Sequence, residues 1–116
     1  MTIYGIPNCD TVKKTQTWFN TADISFDFHN YKKDGITKEK LKSWIKQLGV
    51  DPILNKKSAT WRALSPEEQQ AITTPTAAIN LMMKSPSIIK RPIIEEGEKV
   101  IMVGFDADKY KEIFQK

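Results

Sequence analysis

The segment "TIYGIPNCDTVKKTQTWF" (Thr2–Phe19) changes from the pattern of a strand to that of a helix, and this change is the main sequence evidence for the fold. Its first residues, Thr2 to Tyr4, are β-branched or aromatic and are followed by Gly5 and Pro7, which predicts a strand that ends in a loop. Cys9, the one cysteine of the chain, falls in this loop, directly before the helical pattern.

A helix is expected after the loop. Asp10 or Thr11 can cap its N-terminus, and Val12 and Phe19 lie on its apolar side, with Trp18 at the flank. We expect this helix to end by about residue 22.

The segment "ISFDFHNY" (residues 24–31) alternates Phe26 and Phe28 with Asp27 and His29, a period of two that indicates a strand with one buried face. Two strands joined by a helix are most simply parallel neighbours with a right-handed crossover. The chain therefore opens as strand, helix, strand.

Short helices are predicted in the middle of the chain. Thr37 can cap the first and Gly49 can end it. Ser65 to Glu68 has the pattern of a capping box with proline in the first turn, and Thr74-Pro75 repeats the cap-plus-proline signal before a helix that stops at "KSPS" (residues 84–87). The apolar positions of the first helix are Leu41, Trp44, Ile45 and Leu48.

The C-terminal part predicts a hairpin and a last helix. Two apolar runs, Ile93-Ile94 and Val100 to Val103, flank "EEGE" and read as antiparallel strands. Asp106 can cap the helix that follows, whose inward positions are expected to be Tyr110, Ile113 and Phe114. The order βαβ, helices, ββα predicts an α/β fold.

Composition and charge limit the possible functions. The net charge is +4, but the lysines are interleaved with acids and Arg62 and Arg91 are the two arginines, which is thin for a nucleic-acid groove reader. A single cysteine cannot form an internal disulfide, and no apolar run reaches the roughly 20 residues of a membrane span. We expect a cytoplasmic protein that contacts neither nucleic acid nor a membrane.

Cys9 is the first candidate for chemistry. The thiolate is the reactive form of cysteine, and the N–H groups and dipole of a helix N-terminus favour it. Lys13 and Lys14, within about one turn, add positive potential, whereas Asp10 opposes it. The alternative is that Cys9 is a small buried apolar residue, but a loop at the carboxyl end of a strand favours a reactive role.

Arg62 and Arg91 are the second candidates, because a guanidinium holds oxyanions and carboxylates. Arg62 could instead stack on Trp61 or pair with an acid, and Arg91 could be a charge at a strand edge. The peptide bond between Arg91 and Pro92 is a candidate for the cis form, which would bring this segment against the Cys9 loop.

Four ordered motifs together resemble the ArsC-like family of the thioredoxin superfamily, and are most similar to its YffB branch: "YGIPNCDTVKKTQTWF", "DFHNYKKDGIT", "NKKSATWRAL" and "SPSIIKRPIIE". The resemblance covers essentially the whole chain. It implies a single domain with a thioredoxin-like fold, in which residues 1–32 and 88–116 form the core and residues 33–87 an inserted helical subdomain.

The resemblance also implies roles for residues. Cys9 takes the place of the redox or nucleophilic cysteine, Arg91-Pro92 that of an active-site arginine and cis-proline, and Arg62 that of another anion-binding arginine. The loop and first-turn residues Asn8, Asp10 and Thr11 are included among the anion-binding candidates, and no metal ligands are expected.

Two departures limit what transfers from the family. Arsenate reductases carry a histidine before the cysteine and a third arginine late in the chain, where this sequence has "GIPN" and "VGF". The related Spx and MgsR regulators have a Cys-x-x-Cys switch, whereas Val12 lies three residues after Cys9 here. Oxyanion binding should therefore be weaker, and a two-cysteine switch is excluded.

The resulting hypothesis is a monothiol reductase of the thiol or arsenate type, with no bound cofactor. Cys9 would be the nucleophile, and glutathione or another small thiol the co-substrate, with glutaredoxin as a further partner. The alternative is a regulator similar to Spx and MgsR that binds the RNA polymerase alpha subunit. We expect a monomer in either case.

Overall fold

The structure is a computed structural model that describes residues 1–115 and divides into two compact units. The first unit consists of Met1–Asn30 and the chain from Arg91 onward, and the second of Tyr31–Lys90. The sequence-based boundaries, after residues 32 and 87, lie within three residues of these. In the described part of the chain, no helix has the length and apolar character needed to cross a membrane.

The secondary structure follows the predicted order. Its elements are β1 (Thr2–Gly5), α1 (Asp10–Thr21), β2 (Asp27–Asn30), α2 (Tyr31–Asp34), α3 (Lys38–Leu48), α4 (Ala59–Arg62), α5 (Pro66–Gln70), α6 (Pro75–Lys84), a 3-10 turn (Pro86–Ile88), β3 (Ile93–Glu96), β4 (Lys99–Val103) and α7 (Ala107–Phe114).

The first unit is built on a four-stranded sheet in the order β2-β1-β3-β4. Strands β1 and β2 are parallel, with Ile3 opposite Phe28, and β3 and β4 form the antiparallel hairpin, so both predicted pairings are confirmed. β2 is shorter than predicted, since it begins at Asp27 and leaves Phe26 outside the strand. The hairpin turns at Gly97, whose φ of +62° is in the left-handed region that favours glycine.

One face of this sheet carries an apolar core. Ile3 and Ile94 lie opposite each other on β1 and β3 and are fully buried together with Phe19 of α1 and Tyr110 of α7. The alternation of a strand and the period of a helix bring these residues to the same side. Partly buried apolar residues pack around them, among them Trp18, Phe26, Phe105 and Phe114.

Two predicted inward positions are wrong. Ile113 is 40% exposed, because Tyr110 and Phe114 are four residues apart on α7 and take the face that packs on the core. Leu48 is 36% exposed, since it is the last residue of α3, directly before Gly49 turns the chain.

The second unit confirms the predicted caps. The side-chain oxygens of Thr37 and Thr74 accept hydrogen bonds from backbone N–H groups three residues on, at 3.2 and 3.1 Å. Ser65 and Glu68 form the reciprocal capping box, at 3.1 and 3.0 Å. Helix α4, which the sequence analysis did not predict, starts with Ser58 Oγ accepting from the N–H of Trp61.

Gly5 is required where β1 approaches α1. A Cβ atom placed on Gly5 would lie 2.6 Å from Cγ2 of Val12, which is fully buried and stiff at its branched Cβ. We expect Gly5→Ala to lower the free energy of unfolding by about 1–3 kcal/mol through overpacking, measured by urea denaturation. Val12→Ala in the Gly5→Ala background should recover part of this loss, and an additive double variant would contradict the proposed clash.

Candidate active site

Cys9 is the N-cap of α1. Its backbone is extended (φ −106°, ψ 124°), and its carbonyl oxygen accepts the first helical hydrogen bond from the N–H of Lys13 at 2.9 Å. The prediction that Asp10 or Thr11 is the cap is therefore wrong, because both already have helical geometry within α1.

The surroundings of Cys9 favour the thiolate. Partial burial raises the pKa of the Cys9 thiol, but the backbone N–H of Val12, the guanidinium of Arg91 and the N–H of Thr11 lower it, and the net effect is a lowered pKa. The sequence predicts Lys13 and Lys14 as nearby cations and, through the family resemblance, Arg91 as an active-site arginine. Arg91 has this role in the structure, both as a hydrogen-bond donor and through its charge.

The register of the sheet explains why Arg91 reaches the sulfur. Tyr4 of β1 is opposite Ile93 of β3, so the residues just before β3 run beside the loop that leaves β1. The Arg91-Pro92 peptide bond is cis, as predicted, and Pro92 is buried. The carbonyl oxygen of Pro92 accepts a hydrogen bond from the N–H of Gly104 at 2.7 Å. Three loops of the first unit therefore meet at the same end of the strands.

Removing Arg91 should weaken the thiolate. We expect Arg91→Ala to raise the pKa of Cys9 and to lower its alkylation rate near pH 7 by about three- to tenfold, because less of the sulfur is ionised. The measurement is the rate of iodoacetamide modification as a function of pH, whose midpoint should move upward.

Arg91→Lys is the matched control, since it keeps the charge and loses the planar donor group. The midpoint of its pH–rate curve should lie between those of the wild type and Arg91→Ala. At a pH well above both midpoints the variants should react at similar rates. An unchanged midpoint in Arg91→Ala would show that the guanidinium does not act on Cys9.

The other predicted site residues have different settings. Asn8 and Asp10 are exposed, and Thr11 is partly exposed with its N–H directed at the sulfur. Arg62 is exposed at the end of α4 in the second unit. The anion-binding roles of these residues stay predictions. In residues 1–115 no group of three or more His, Cys, Asp or Glu side chains could hold a metal ion.

An open groove of about 510 Å³ runs along the exposed face of α1 and was not predicted. Its lining includes Asp10, the residue after Cys9, and most of the exposed area of the lining belongs to carbon atoms. The only sequence signal was the position of Trp18 at the flank of the helix, since most of the other lining residues are polar. The full set of lining residues is Asp10, Lys13, Lys14, Thr17, Trp18, Thr21 and Phe105.

Comparison with solved structures supports the thioredoxin-like fold. The structure of the YFFB protein is 39% identical, with a TM-score of 0.89 over 97% of this chain and 96% of that one. The solution structure of an ArsC-related protein from Brucella melitensis is 37% identical, with a TM-score of 0.79 over 99% and 94%.

Two regulators are also similar along their sequences. The regulatory protein MgsR of Bacillus subtilis is 26% identical, over 100% of this chain and 91% of its own length. The global transcriptional regulator Spx of Streptococcus mutans is 25% identical, over 96% and 80%. Residues 4–113 match the ArsC family as a whole, which is nearly the entire chain. With its thioredoxin-like sheet and its single cysteine at the start of α1, the chain belongs to the ArsC family.

Proposed function

We propose that the protein is a glutathione-dependent monothiol reductase that uses Cys9 as its nucleophile. The observation that carries this proposal is the lowered pKa of Cys9, which has the N–H groups of Thr11 and Val12 and the guanidinium of Arg91 around it. A lowered pKa increases the thiolate fraction of a partly exposed cysteine, and the thiolate is the form that attacks disulfides and other electrophiles.

The reaction divides into two thiol–disulfide exchanges. In the first, the Cys9 thiolate attacks the glutathione sulfur of a mixed disulfide, a Cys9–glutathione disulfide forms, and the substrate leaves as a thiolate that takes a proton from water. In the second, the thiolate of a free glutathione attacks this adduct. Oxidised glutathione leaves, and Cys9 returns as a thiolate. One mixed disulfide is reduced, and two glutathione units end as one disulfide.

Arg91 contributes to both steps in this proposal. Cys9 is the leaving group of the second exchange, and a low thiol pKa speeds departure. The same guanidinium that lowers the pKa of the free thiol therefore favours regeneration of the enzyme. We assign Arg62 to holding a carboxylate or oxyanion of the substrate, and glutaredoxin can replace glutathione in the second exchange.

Arsenate is the second substrate of this type. The Cys9 thiolate can displace water from protonated arsenate to form a sulfur–arsenic bond; a glutathione thiolate then attacks the Cys9 sulfur, arsenic leaves with the bonding electrons as arsenite, and a second glutathione resolves the Cys9–glutathione disulfide. The two arginines of this chain are fewer, however, than the three of the arsenate reductases it resembles. We therefore expect turnover of mixed disulfides to exceed turnover of arsenate.

The test is an assay of mixed-disulfide reduction by the purified protein. We expect a rate that depends on glutathione, and a Cys9–glutathione adduct detectable by mass spectrometry when the mixed disulfide is added without free glutathione. Absence of both turnover and adduct would refute the proposal.

The similarity to MgsR and Spx favours one alternative, a regulator that binds the RNA polymerase alpha subunit. Its test is capture of the purified C-terminal domain of that subunit by the protein. Binding unaffected by Cys9→Ser, together with no reductase activity, would favour the regulator. The presence of one cysteine in this chain favours the reductase, because a two-cysteine switch needs a second thiol.

A further inference from the structure

The groove along α1 is the next candidate site, because its lining reaches the residue that follows Cys9. Its helical wall runs from Asp10, the residue after Cys9, to Thr21, the last residue of α1. These positions are three, four, seven, eight and eleven residues beyond Asp10, so they form a single stripe on one side of the helix. The core residues Val12, Thr15 and Phe19 lie on the buried side.

The size of the groove fits a peptide. At 1.5 Å per residue, the helical wall is about 16 Å long, which matches about five residues of extended chain. A groove of about 510 Å³ that is open along its length leaves one side of an occupant in solvent. Sites for small molecules usually enclose most of the ligand, so the shape favours a chain segment.

The chemistry of the groove also defines its occupant. Two of its lining residues, Trp18 and Phe105, are aromatic and offer an apolar surface. The lining contains two positively charged residues, Lys13 and Lys14, and one carboxylate, that of Asp10. The whole chain carries a net charge of +4. An acidic segment with apolar side chains complements both features.

We propose that the groove binds an acidic, apolar segment of a substrate protein, next to a cysteine of that protein that carries glutathione. The proposal rests on the reductase function of Cys9 and names its substrate class as protein mixed disulfides. Binding in the groove delivers the disulfide to Cys9, and the first exchange releases the substrate protein with a free thiol.

The test compares glutathione mixed disulfides of three six-residue peptides. Each has one cysteine and two leucines, and the remaining positions are Glu, Lys or Ser. We expect the Glu peptide to react about tenfold faster than the Lys peptide, with the Ser peptide between them. The mixed disulfide of glutathione with 2-mercaptoethanol reports the chemistry of Cys9 without the groove.

Thr17→Glu changes the charge of the groove at an exposed helical position that tolerates glutamate. It should reduce the preference for the Glu peptide over the Lys peptide at least about fivefold. The matched control is Asn20→Glu, which adds the same charge at an exposed position of α1 outside the groove lining and should keep the preference.

The outcomes separate this inference from the proposed function. If the three peptides react at equal rates while the small disulfide is still reduced, recognition of acidic segments by the groove is refuted and the reductase function is retained. If no disulfide reacts, the proposed reductase function is refuted. Binding of the Glu peptide to the groove is then tested separately, by fluorescence anisotropy of a labelled, cysteine-free Glu peptide mixed with Cys9→Ser protein. If the anisotropy of the labelled peptide does not change when protein is added, peptide binding in the groove is overturned. A wild-type dimer that Thr17→Glu dissociates also overturns it, because the groove is then occupied by a second copy of the chain.

Discussion

Cys9→Ser is expected to lower glutathione-dependent turnover by at least about a thousandfold while the protein stays folded. A serine hydroxyl in the same place is not ionised near neutral pH, so the groups that stabilise the thiolate have no anion to act on. Serine is also a preferred N-cap residue, and Cys9 occupies that position of α1. The melting temperature should therefore be equal to or higher than that of the wild type.

Cys9→Ala is the matched control for the cap. It should be as inactive as Cys9→Ser and somewhat less stable, since alanine cannot accept a hydrogen bond from the first turn. Turnover is followed by the oxidised glutathione produced, with the uncatalysed reaction subtracted. Because Cys9 is the one cysteine of the chain, activity retained in Cys9→Ser would exclude thiol catalysis altogether.

Local signals predicted most of the secondary structure. The caps at Thr37, Ser65, Thr74 and Asp106 were identified from sequence, and each bonds to a backbone N–H three residues on. A cap joins groups within four residues, so the sequence of one turn contains the information needed to recognise it. The strand pairings followed from the helical crossover and the short turn in the same way.

The predicted start of α1 is one or two residues too late. Asp10 is a better capping residue than Cys9 by propensity. In the folded chain, however, Val12 packs against Gly5 in β1, where any side chain on Gly5 would collide with it. This contact accompanies a helix that begins at Asp10 and leaves Cys9 as its cap. Propensity alone does not include a contact of this kind.

The composition of the site was less predictable than its nucleophile. Arg91 meets Cys9 because Tyr4 pairs with Ile93, a register between residues far apart in sequence. The proline after Arg91 was the only local indication. The groove could not be recognised either, since its lining combines polar residues of α1 with Phe105 from the loop after β4.

Tyr110 joins the end of the sheet to the helices of the first unit. Its ring is fully buried, with Trp18, Phe19 and Phe105 in edge-on contact at centroid distances of 5.2, 5.8 and 5.4 Å. Its hydroxyl donates to the carbonyl oxygen of Gly104 and lies 3.2 Å from Oγ1 of Thr15. Tyr110 therefore anchors the loop that also meets Pro92.

We expect Tyr110→Ala to lower the free energy of unfolding by about 3–5 kcal/mol, because a large buried ring and its hydrogen bonds are lost together. Tyr110→Phe keeps the ring and should cost about 1–2 kcal/mol, the contribution of the hydroxyl. Urea denaturation near pH 7 measures both. If the two variants are equally stable, the ring does not contribute to the core as described.

The pH dependence of stability at alkaline pH measures the contribution of the Tyr110 hydroxyl separately from that of the ring. Burial raises the pKa of Tyr110 to about 12, against the lowering effect of the bond to Thr15 and with a small rise from Asp106. An unfolded tyrosine ionises near pH 10. The stabilisation is therefore complete below about pH 10, and it is lost as the pH rises from about 10 to 12, because the unfolded chain then binds fewer protons than the folded one. The loss amounts to about 2–3 kcal/mol.

Tyr110→Phe should lack this component, so the difference in unfolding free energy between wild type and variant should shrink and then reverse sign over this range. A constant difference would show that the Tyr110 hydroxyl ionises equally in both states.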